Sequence, residues 1–345
     1  MIIRTITQQD AKRACELYNS LAEVEFPHVK MSQEAFAKTF LEDEERAHKI
    51  KLAAMEEDGS GEELVGFAFG TLVPGKTTGY ITFVLTDPRF RMRGIGKALM
   101  AALEDSLAQE AAGPLTDYQM IFFNPVALTW KVPGTPGHDH PNAPGVDMAS
   151  GAYLFFKNVG YTDRVTQNSY YLPLDRFTLP EGYREKLEEL KEKGLGIGWY
   201  DPSINPGLEE LTADLQSEDW QRELLGNKAK GEKADPLLVA IDAGNKEAVI
   251  TDRLGSFPGK VVGFAGPVHV QESGRGYFAG LGVHSAYRKL GLGTALFSAL
   301  CQGQKEIGAQ FMTLFTGETN PAKRIYRGAG FRIVKSWSDM IRPAR

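Results

Sequence analysis

The chain has 345 residues, 24% of them charged, with a formal net charge of −5, a pI of about 5.8 and two cysteines. This composition is typical of a soluble protein long enough for two domains, and the net negative charge does not favour a nucleic-acid-binding surface. Cys15 and Cys301 fall in separate predicted helices, which argues against a disulfide framework. No charged-then-apolar leader and no bilayer-length apolar run are evident, so we expect a cytoplasmic protein with no membrane partner.

The first half alternates strand and helix patterns. A strand is predicted over residues 1–6, and helices begin after Thr7 and Ser32, where capping residues precede apolar periodicity. The later elements are strands at 49–55, 63–71 and 79–86, with a turn at 58–61, then a helix at 94–111, a strand at 118–123, a short helix at 150–158 and strand residues near 169–174.

The second half repeats this order after a charged connector, residues 178–194, which we interpret as a solvated linker helix. Both halves then read as a strand, two helices, three strands, a helix, a strand, a helix and closing strands. This order predicts an α/β fold with a mixed sheet and helices on both faces. The expected bounds are 1–178 for the N-terminal domain, 179–196 for the linker helix and 197–345 for the C-terminal domain.

A glycine-containing hexamer occurs once in each half. Residues 91–96 read Arg-Met-Arg-Gly-Ile-Gly and residues 288–293 read Arg-Lys-Leu-Gly-Leu-Gly. Each hexamer follows a β-prone run and opens an amphipathic helix, so we name them the first and second glycine loops. Glycines let the backbone approach an anion, and the free N–H groups and dipole of a helix N-terminus favour negative charge. The loops therefore predict two phosphate-binding turns.

The repeat extends beyond the loops at one offset of 197 residues. Upstream, residues 65–68 match residues 262–265 as Val-Gly-Phe-Ala. Downstream, apolar residues at helical spacing match in pairs: Ile95, Ala98, Leu99, Ala102 and Leu103 with Leu292, Ala295, Leu296, Ala299 and Leu300. Further on, an aromatic-x-x-x-Gly-aromatic segment recurs at an offset of 170, with Phe156 matching Tyr326. The first half thus holds a Pro/Gly-rich insertion near residues 130–148.

This order of elements, with the glycine loops and the Tyr326–Phe331 segment, resembles the GNAT superfamily of N-acetyltransferases in two tandem copies. The resemblance covers almost the whole chain. It implies two acyl-CoA N-acyltransferase domains, acetyl-CoA or a related acyl-CoA as the cofactor, and a small-molecule or peptide amine as the acceptor. It leaves the identity of the amine and the oligomeric state open.

The resemblance also implies where acyl-CoA binds. The pyrophosphate would contact the helix-opening turn and the pantetheine arm would pair with the preceding strand. The residues implied in the second half are Arg288, Lys289, Gly291, Leu292, Gly293 and Thr294 in the turn, Leu281, Gly282 and Val283 in the strand, and Asn320, which stands one residue later than the family pattern. Those implied in the first half are Arg91, Met92, Arg93, Gly94, Ile95, Gly96 and Lys97, with Val84, Leu85 and Thr86 in the strand.

Tyr326 occupies the position of the family's general-acid tyrosine, a role in which a phenol protonates the departing thiolate. The first half has Phe156 there, so we expect the C-terminal half to be catalytic, with Glu318 or His284 relaying a proton through water. Three roles remain open for the first half: it binds the cofactor without turnover, it is a structural partner, or it uses another acid such as Tyr153. Direct attack of the amine on the thioester is favoured over a route through a cysteine-bound intermediate, because neither cysteine lies near the glycine loops.

Two alternatives remain open: a non-catalytic acyl-CoA-binding module, and CoA-dependent transfer to a thiol or hydroxyl. The segment His138-Asp139-His140 lies on the insertion, but two histidines on a proline-rich loop are weak support for a metal site, and we predict no metal. We expect the insertion to cover the acceptor channel of the first half or to pack between the halves, with Trp130 as a packing anchor.

Overall fold

The computed structural model describes residues 1–44, 47–57, 61–121, 125–244 and 254–344. The predicted residues Phe122 and Phe123 of the strand at 118–123 and most of the turn at 58–61 lie outside these ranges. The chain forms two compact units: unit 1 comprises residues 1–169 and 335–345, and unit 2 comprises residues 170–334. Within the described ranges, no helix combines the length and apolar character needed to cross a membrane.

Unit 1 is a mixed sheet with helices on both faces, as the order of elements predicts. Its helices are α1 (Gln8–Leu21), α2 (Gln33–Phe36), α3 (Ile95–Glu110) and α4 (Gly151–Asn158). Its strands are β1 (Ile2–Thr5), β2 (His48–Glu57), β3 (Glu62–Leu72), β4 (Thr78–Thr86), β5 (Asp117–Met120), the short β6 (Trp130–Lys131), β7 (Asp139–His140) and β8 (Val146–Asp147), and β9 (Thr162–Pro173) as far as Ser169.

Each face of this sheet has its own core. Ala68 of β3 packs with Leu99 and Leu103 of α3, whereas its neighbours Phe67 and Phe69 pack with aromatic side chains of α1 and α2 on the opposite face. This division follows from the alternation of side chains along a strand. The sheet order β1-β2-β3-β4-β5 is antiparallel except between β4 and β5, which are parallel.

The last strand of the chain completes unit 1. β15 spans Arg332–Pro343, and from Lys335 onward it belongs to unit 1, where Met340 pairs with Met120 of β5. Arg342 and the Tyr161 hydroxyl both donate to the Glu104 carboxylate of α3, each at 2.9 Å. The sequence pattern identifies this strand but not its neighbours, so the expected domain 197–345 does not coincide with a compact unit.

Unit 2 repeats the architecture. Its helices are α5 (Tyr183–Lys191), α6 (Leu208–Leu215), α7 (Glu218–Ala229), α8 (Leu292–Glu306) and α9 (Lys323–Gly328). Its strands are β10 (Leu195–Trp199), β11 (Leu238–Asp242), β12 (Lys260–Gly266) and β13 (Gly280–Val283), which form an antiparallel sheet, and β14 (Phe311–Gly317), which neighbours the end of β9.

Helix α5 corrects the interpretation of the connector as a solvated linker. Leu190 is fully buried, and Tyr183 and Leu187 pack beside it against the core of unit 2. These three positions are spaced so that they share one helix face, which buries an apolar stripe and leaves the charged residues outside. The charge-rich composition hid this stripe, because it occupies few of the helix's residues.

Candidate active site

The first glycine loop has the backbone of an anion-binding turn. Met92 and Gly94 both have left-handed φ angles, 63° and 85°, and Gly94 is the N-cap of the 16-residue helix α3. The first intrahelical bond runs from Ala98 N–H to the Gly94 carbonyl at 3.0 Å, so the amides before Ala98 lack intrahelical acceptors. A methyl group added at Gly94 would meet nothing within 4 Å. The turn therefore presents free N–H groups to open space.

Cationic side chains surround this turn. Arg91, Arg93 and Lys97 are exposed. The Arg91 Nε donates to the Thr86 carbonyl at 3.2 Å, and its guanidinium pairs with Glu25 at 2.5 Å. Arg93 lies over the Phe90 ring, 5.1 Å from its centroid. The loop thus combines positive charge with backbone donors, which is the chemistry that a phosphate group needs.

Strands β4 and β5 separate beside this loop. They pair at three positions, the last being Tyr80 with Gln119, and the register shift opposite Gly70 makes Thr82 an extra residue in β4. Among the described residues, the ladder between β4 and β5 ends at Tyr80 and Gln119, whereas β4 itself continues to Thr86. The two strands therefore form a gap in the sheet next to the start of α3.

The backbone of β4 faces this gap at two of the three expected positions. Asp87 N–H donates to the Val65 carbonyl of β3 at 2.9 Å, so Asp87 and Val65 form a hydrogen-bonded pair. Because such pairs alternate along an antiparallel ladder, Leu85 also bonds to β3, while the backbone groups of Val84 and Thr86 point into the gap. Leu85, expected to contact the cofactor, reaches the gap only with its side chain.

A cavity of about 770 Å³ occupies the gap, and every residue that lines it belongs to unit 1. At one end are Gly94, Gly96 and Lys97 of the loop, with Phe155 of α4. At the other end are Phe26, His28, Val126, Leu128 and Trp337. Phe155 packs with the core on the α3 face, and Phe26, Val126 and Leu128 pack with the core on the α1 face, so the lining comes from both faces of the sheet.

His28 is the buried titratable group at the second end. Its ring lies 5.8 Å from those of Phe26 and Phe83, and its Nδ1 has no hydrogen-bond partner among the described residues. Burial lowers the pKa of His28 to about 4, although the Asp147 carboxylate raises it and Lys335 lowers it further. The imidazole is therefore neutral at pH 7, with Nδ1 available in a cavity lined mainly by apolar side chains.

The insertion helps to form this end of the cavity. Gly145, Val146 and Asp147 line it, and Asp147 pairs with Lys335 at 2.6 Å. Trp130 is fully buried, with its ring 5.0 Å from that of Trp337 and its Nε1 donating to Asn142. Trp130 thus packs as an anchor, as its position predicts. Among the described residues, no group of three or more His, Cys, Asp or Glu side chains could hold a metal ion.

The second glycine loop has the same backbone turn as the first, but the space around it is less open. Lys289 and Gly291 have left-handed φ angles of 67° and 96°, and the Arg288 Nε donates to the Val283 carbonyl at 3.2 Å, as Arg91 does to Thr86. A methyl group added at Gly291, however, would collide with the Lys186 side chain of α5. The flexible end of the Lys186 side chain therefore lies over this turn, whereas the first loop is open.

The strand beside the second loop is also covered. Leu281 and Val283 have the same backbone orientation as Val84 and Thr86, because the His284 N–H donates to Val262 as Asp87 does to Val65. Trp220 of α7 donates to the Ala279 carbonyl at 3.1 Å, at the position that corresponds to Thr82. A methyl group at Gly282 would lie 2.6 Å from Leu215. Side chains of α6 and α7 thus occupy one face of β13.

Tyr326 lies in an aromatic cluster of unit 2. Its side chain is 6% exposed, and its ring centroid lies 4.9 Å from Phe297, 5.9 Å from Tyr170 and 6.3 Å from Phe278. Burial raises the pKa of Tyr326 to about 12. Phe278 stands where unit 1 has the smaller Ile81, which lines the cavity. Tyr326, the expected general acid, is therefore a core side chain of unit 2, and it does not line the cavity.

The remaining candidates of unit 2 lie at its surface. Glu318, Asn320 and Thr294 are exposed, and the Asn320 Oδ1 accepts from the Ala322 N–H at 3.0 Å at the start of α9. The His284 Nδ1 accepts from Ala286 at 3.2 Å. The sequence analysis missed His28, Asp147 and Trp337. No local motif marks them, since each reaches the cavity from a different part of the chain.

The family comparison agrees with this architecture. The Acetyltransferase (GNAT) family profile matches residues 11–116 and 208–331. No curated protein sequence matches the chain significantly.

Solved structures with the same fold have low sequence identity. A tandem GNAT protein from the clavulanic acid biosynthesis pathway is 15% identical, with a TM-score of 0.57 over 100% of this chain and 98% of its own. An N-acetyltransferase from Sphaerobacter thermophilus is 17% identical, with a TM-score of 0.61 over 100% and 96%. A glucosamine N-acetyltransferase region of a fungal multi-domain β-N-acetylglucosaminidase is 16% identical, with a TM-score of 0.67 over 99% of this chain and 38% of that one. The chain belongs to the GNAT family of acetyltransferases and contains two GNAT domains.

Proposed function

We propose that this protein transfers an acyl group, acetyl in the first instance, from acyl-CoA to a primary amine, and that unit 1 is the site of the reaction. The observation that supports this is the cavity of unit 1, whose lining comes from both faces of the sheet. It joins the open glycine loop on one face to the His28 end on the other. A donor and an acceptor entering from opposite faces would meet in the gap between β4 and β5.

The donor end fits acyl-CoA. The free amides of the first glycine loop and the exposed Arg93 and Lys97 would hold the pyrophosphate. The backbone groups of Val84 and Thr86 that face the gap would pair with the pantetheine amides. Bound there, acyl-CoA supplies an activated thioester.

The reaction balances without an additional reactant. The amine nitrogen forms a bond to the acyl carbon, the carbon–sulfur bond breaks, and the proton lost by nitrogen is matched by the proton gained by the thiol. Cys15 and Cys301 are buried, burial raises the pKa of both thiols, and neither lines the cavity. This supports direct attack over a cysteine-bound intermediate.

Unit 2 is better suited to a structural role. The sequence alone favours unit 2 as the catalytic unit, because Tyr326 has a proton to donate and Phe156 does not. However, the end of the Lys186 side chain lies over the second loop, and Trp220 and Leu215 occupy one face of β13, whereas the first loop opens into the cavity. We therefore assign turnover to unit 1, where water in the cavity would carry the proton that a tyrosine supplies elsewhere.

A thiol-release assay tests the proposal. Purified protein is incubated with acetyl-CoA and a panel of primary amines, and free CoA is measured colorimetrically beside mass spectrometry of the amide. We expect amine-dependent thiol release with one acetyl group on the nitrogen. Release with thiols or alcohols but not amines would contradict the assignment of the acceptor. Stoichiometric binding without turnover would favour a sensing module instead.

A further inference from the structure

His28 marks how the acceptor is recognised. The acceptor arm of the cavity is the end lined by Phe26, His28, Phe83, Val126, Leu128 and Trp337. Apart from His28, these side chains are largely apolar, and Asp147, which also lines this end, is paired with Lys335. A ligand that enters this arm must therefore bury an apolar surface and satisfy few polar groups.

The acidic side chains of the cavity are already paired. Among its described lining residues, the carboxylates are Glu25, which binds Arg91 at 2.5 Å, and Asp147, which binds Lys335 at 2.6 Å. A polyamine or aminoglycoside would bring several ammonium groups into an apolar arm without free counter-charges. Burying a charge without a partner is strongly unfavourable. The arm therefore selects against polycations, although the overall net charge of −5 suggests the opposite.

The His28 ring offers an acceptor atom, not a charge. The neutral His28 ring carries one N–H donor and one lone-pair acceptor. Nδ1 is the ring nitrogen without a hydrogen-bond partner among the described residues, so it is the atom open to a ligand, and the tautomer protonated at Nε2 makes it an acceptor. An unsatisfied buried acceptor is costly, so a ligand that donates a hydrogen bond is favoured there.

We propose that the acceptor is a monoamine with an aromatic or branched aliphatic body, and that His28 Nδ1 accepts a hydrogen bond from its neutral amino group. This inference rests on the proposed function of unit 1. The hydrogen bond would fix the nitrogen lone pair relative to the gap, and the apolar arm would hold the body. The arm would also favour the uncharged amine, which is the form that can attack.

Two variants and one control test this. His28→Phe keeps a ring among Phe26 and Phe83 but removes Nδ1, and His28→Asn keeps a polar atom at the Nδ1 position. His269 of unit 2 also has an Nδ1 without a hydrogen-bond partner among the described residues, 3.7 Å from the Asp235 carboxylate, and it does not line the cavity, so His269→Phe is the control. Each variant is checked for native circular dichroism, and kcat/KM is measured for 2-phenylethylamine, isoamylamine, putrescine and spermidine.

We expect the two apolar monoamines to exceed the polyamines in kcat/KM. We expect His28→Phe to lower kcat/KM for monoamines by about 10- to 100-fold, the cost of losing a buried hydrogen bond, with the KM for acetyl-CoA unchanged. His28→Asn should recover part of the loss, and His269→Phe should behave as wild type. A preference for spermidine, or a fully active His28→Phe, would overturn this inference and leave the acetyltransferase intact. Acetyl-CoA binding with no amine acylated by the wild type would overturn the proposed function itself.

Discussion

Matched substitutions at one glycine in each loop test which of the two units binds acetyl-CoA. Gly96 and Gly293 occupy the same position in the first turns of α3 and α8, and a methyl group at either would meet one side chain closely, Phe155 at 3.2 Å or Ile325 at 3.3 Å. Neither glycine has a left-handed φ, so any residue can adopt the backbone. Aspartate at this position also complements the helix dipole. Gly96→Asp and Gly293→Asp should therefore fold alike.

Their effects on acetyl-CoA binding should differ. A carboxylate about 5 Å from a pyrophosphate, at an effective dielectric constant of about 40, repels its two charges by about 3 kcal/mol. This corresponds to a roughly 100-fold weaker Kd for Gly96→Asp. Gly293→Asp should leave the Kd unchanged, because the proposed donor site lies in unit 1.

Isothermal titration calorimetry with acetyl-CoA measures both values, and native mass spectrometry counts the bound molecules. Gly96→Asn and Gly293→Asn supply the same volume without the charge and separate repulsion from steric effects. We expect one molecule bound per wild-type chain. Equal weakening by Gly96→Asn and Gly96→Asp would show that charge is not the cause. A loss of binding in Gly293→Asp alone would transfer the donor site to unit 2 and refute the reasoning.

Three further predictions follow from the same contacts. Tyr326→Phe should leave kcat within about two-fold of wild type in the thiol-release assay, since burial holds the pKa of Tyr326 near 12 and its ring faces the core of unit 2; a large loss of kcat would restore the C-terminal assignment. Because burial lowers the pKa of His28 to about 4, the unfolded chain takes up a proton at this ring at a higher pH than the folded chain does. The stability that the neutral ring contributes is therefore fully present above pH 6.5, and about 3 kcal/mol of it is lost as the pH falls toward 4. Urea unfolding at pH 7 and pH 4 measures this loss, and His28→Phe should lack the contribution. Glu104→Gln should lower the free energy of unfolding by about 3 kcal/mol, because it leaves Arg342 without its buried counter-charge, and an unchanged urea midpoint would contradict that role.

The sequence predicts the repeated elements well because they depend on local patterns. The strand-to-helix turns need residues that tolerate left-handed φ angles, and glycine at 94 and 291 meets that need. The apolar spacing in α3 and α8 fixes which faces are buried. These features are properties of neighbouring residues, so two copies at one offset are readable without a structure.

Contacts between distant segments could not be predicted in this way. The period-2 pattern of β15 identifies a strand, but its pairing with β5 depends on partners such as Glu104, more than 200 residues away. His28 and Asp147 belong to unremarkable loops, and the topology alone brings them to one cavity. The sequence marks Tyr326 by its position, but it gives no sign that the ring of Phe278 packs beside it.

Comparison of the two units distinguishes the residues that form a glycine loop from the surroundings that make such a loop a binding site. Both loops have the same pair of left-handed residues, and both first arginines donate to the end of the preceding strand at 3.2 Å. The turn is therefore what links this strand to this helix, with or without a ligand. Binding needs space in addition, and space depends on side chains from elsewhere, such as Lys186 over Gly291 and Phe278 in place of Ile81. In a duplicated chain, the site is thus better assigned from the open gap beside the loop than from the loop itself.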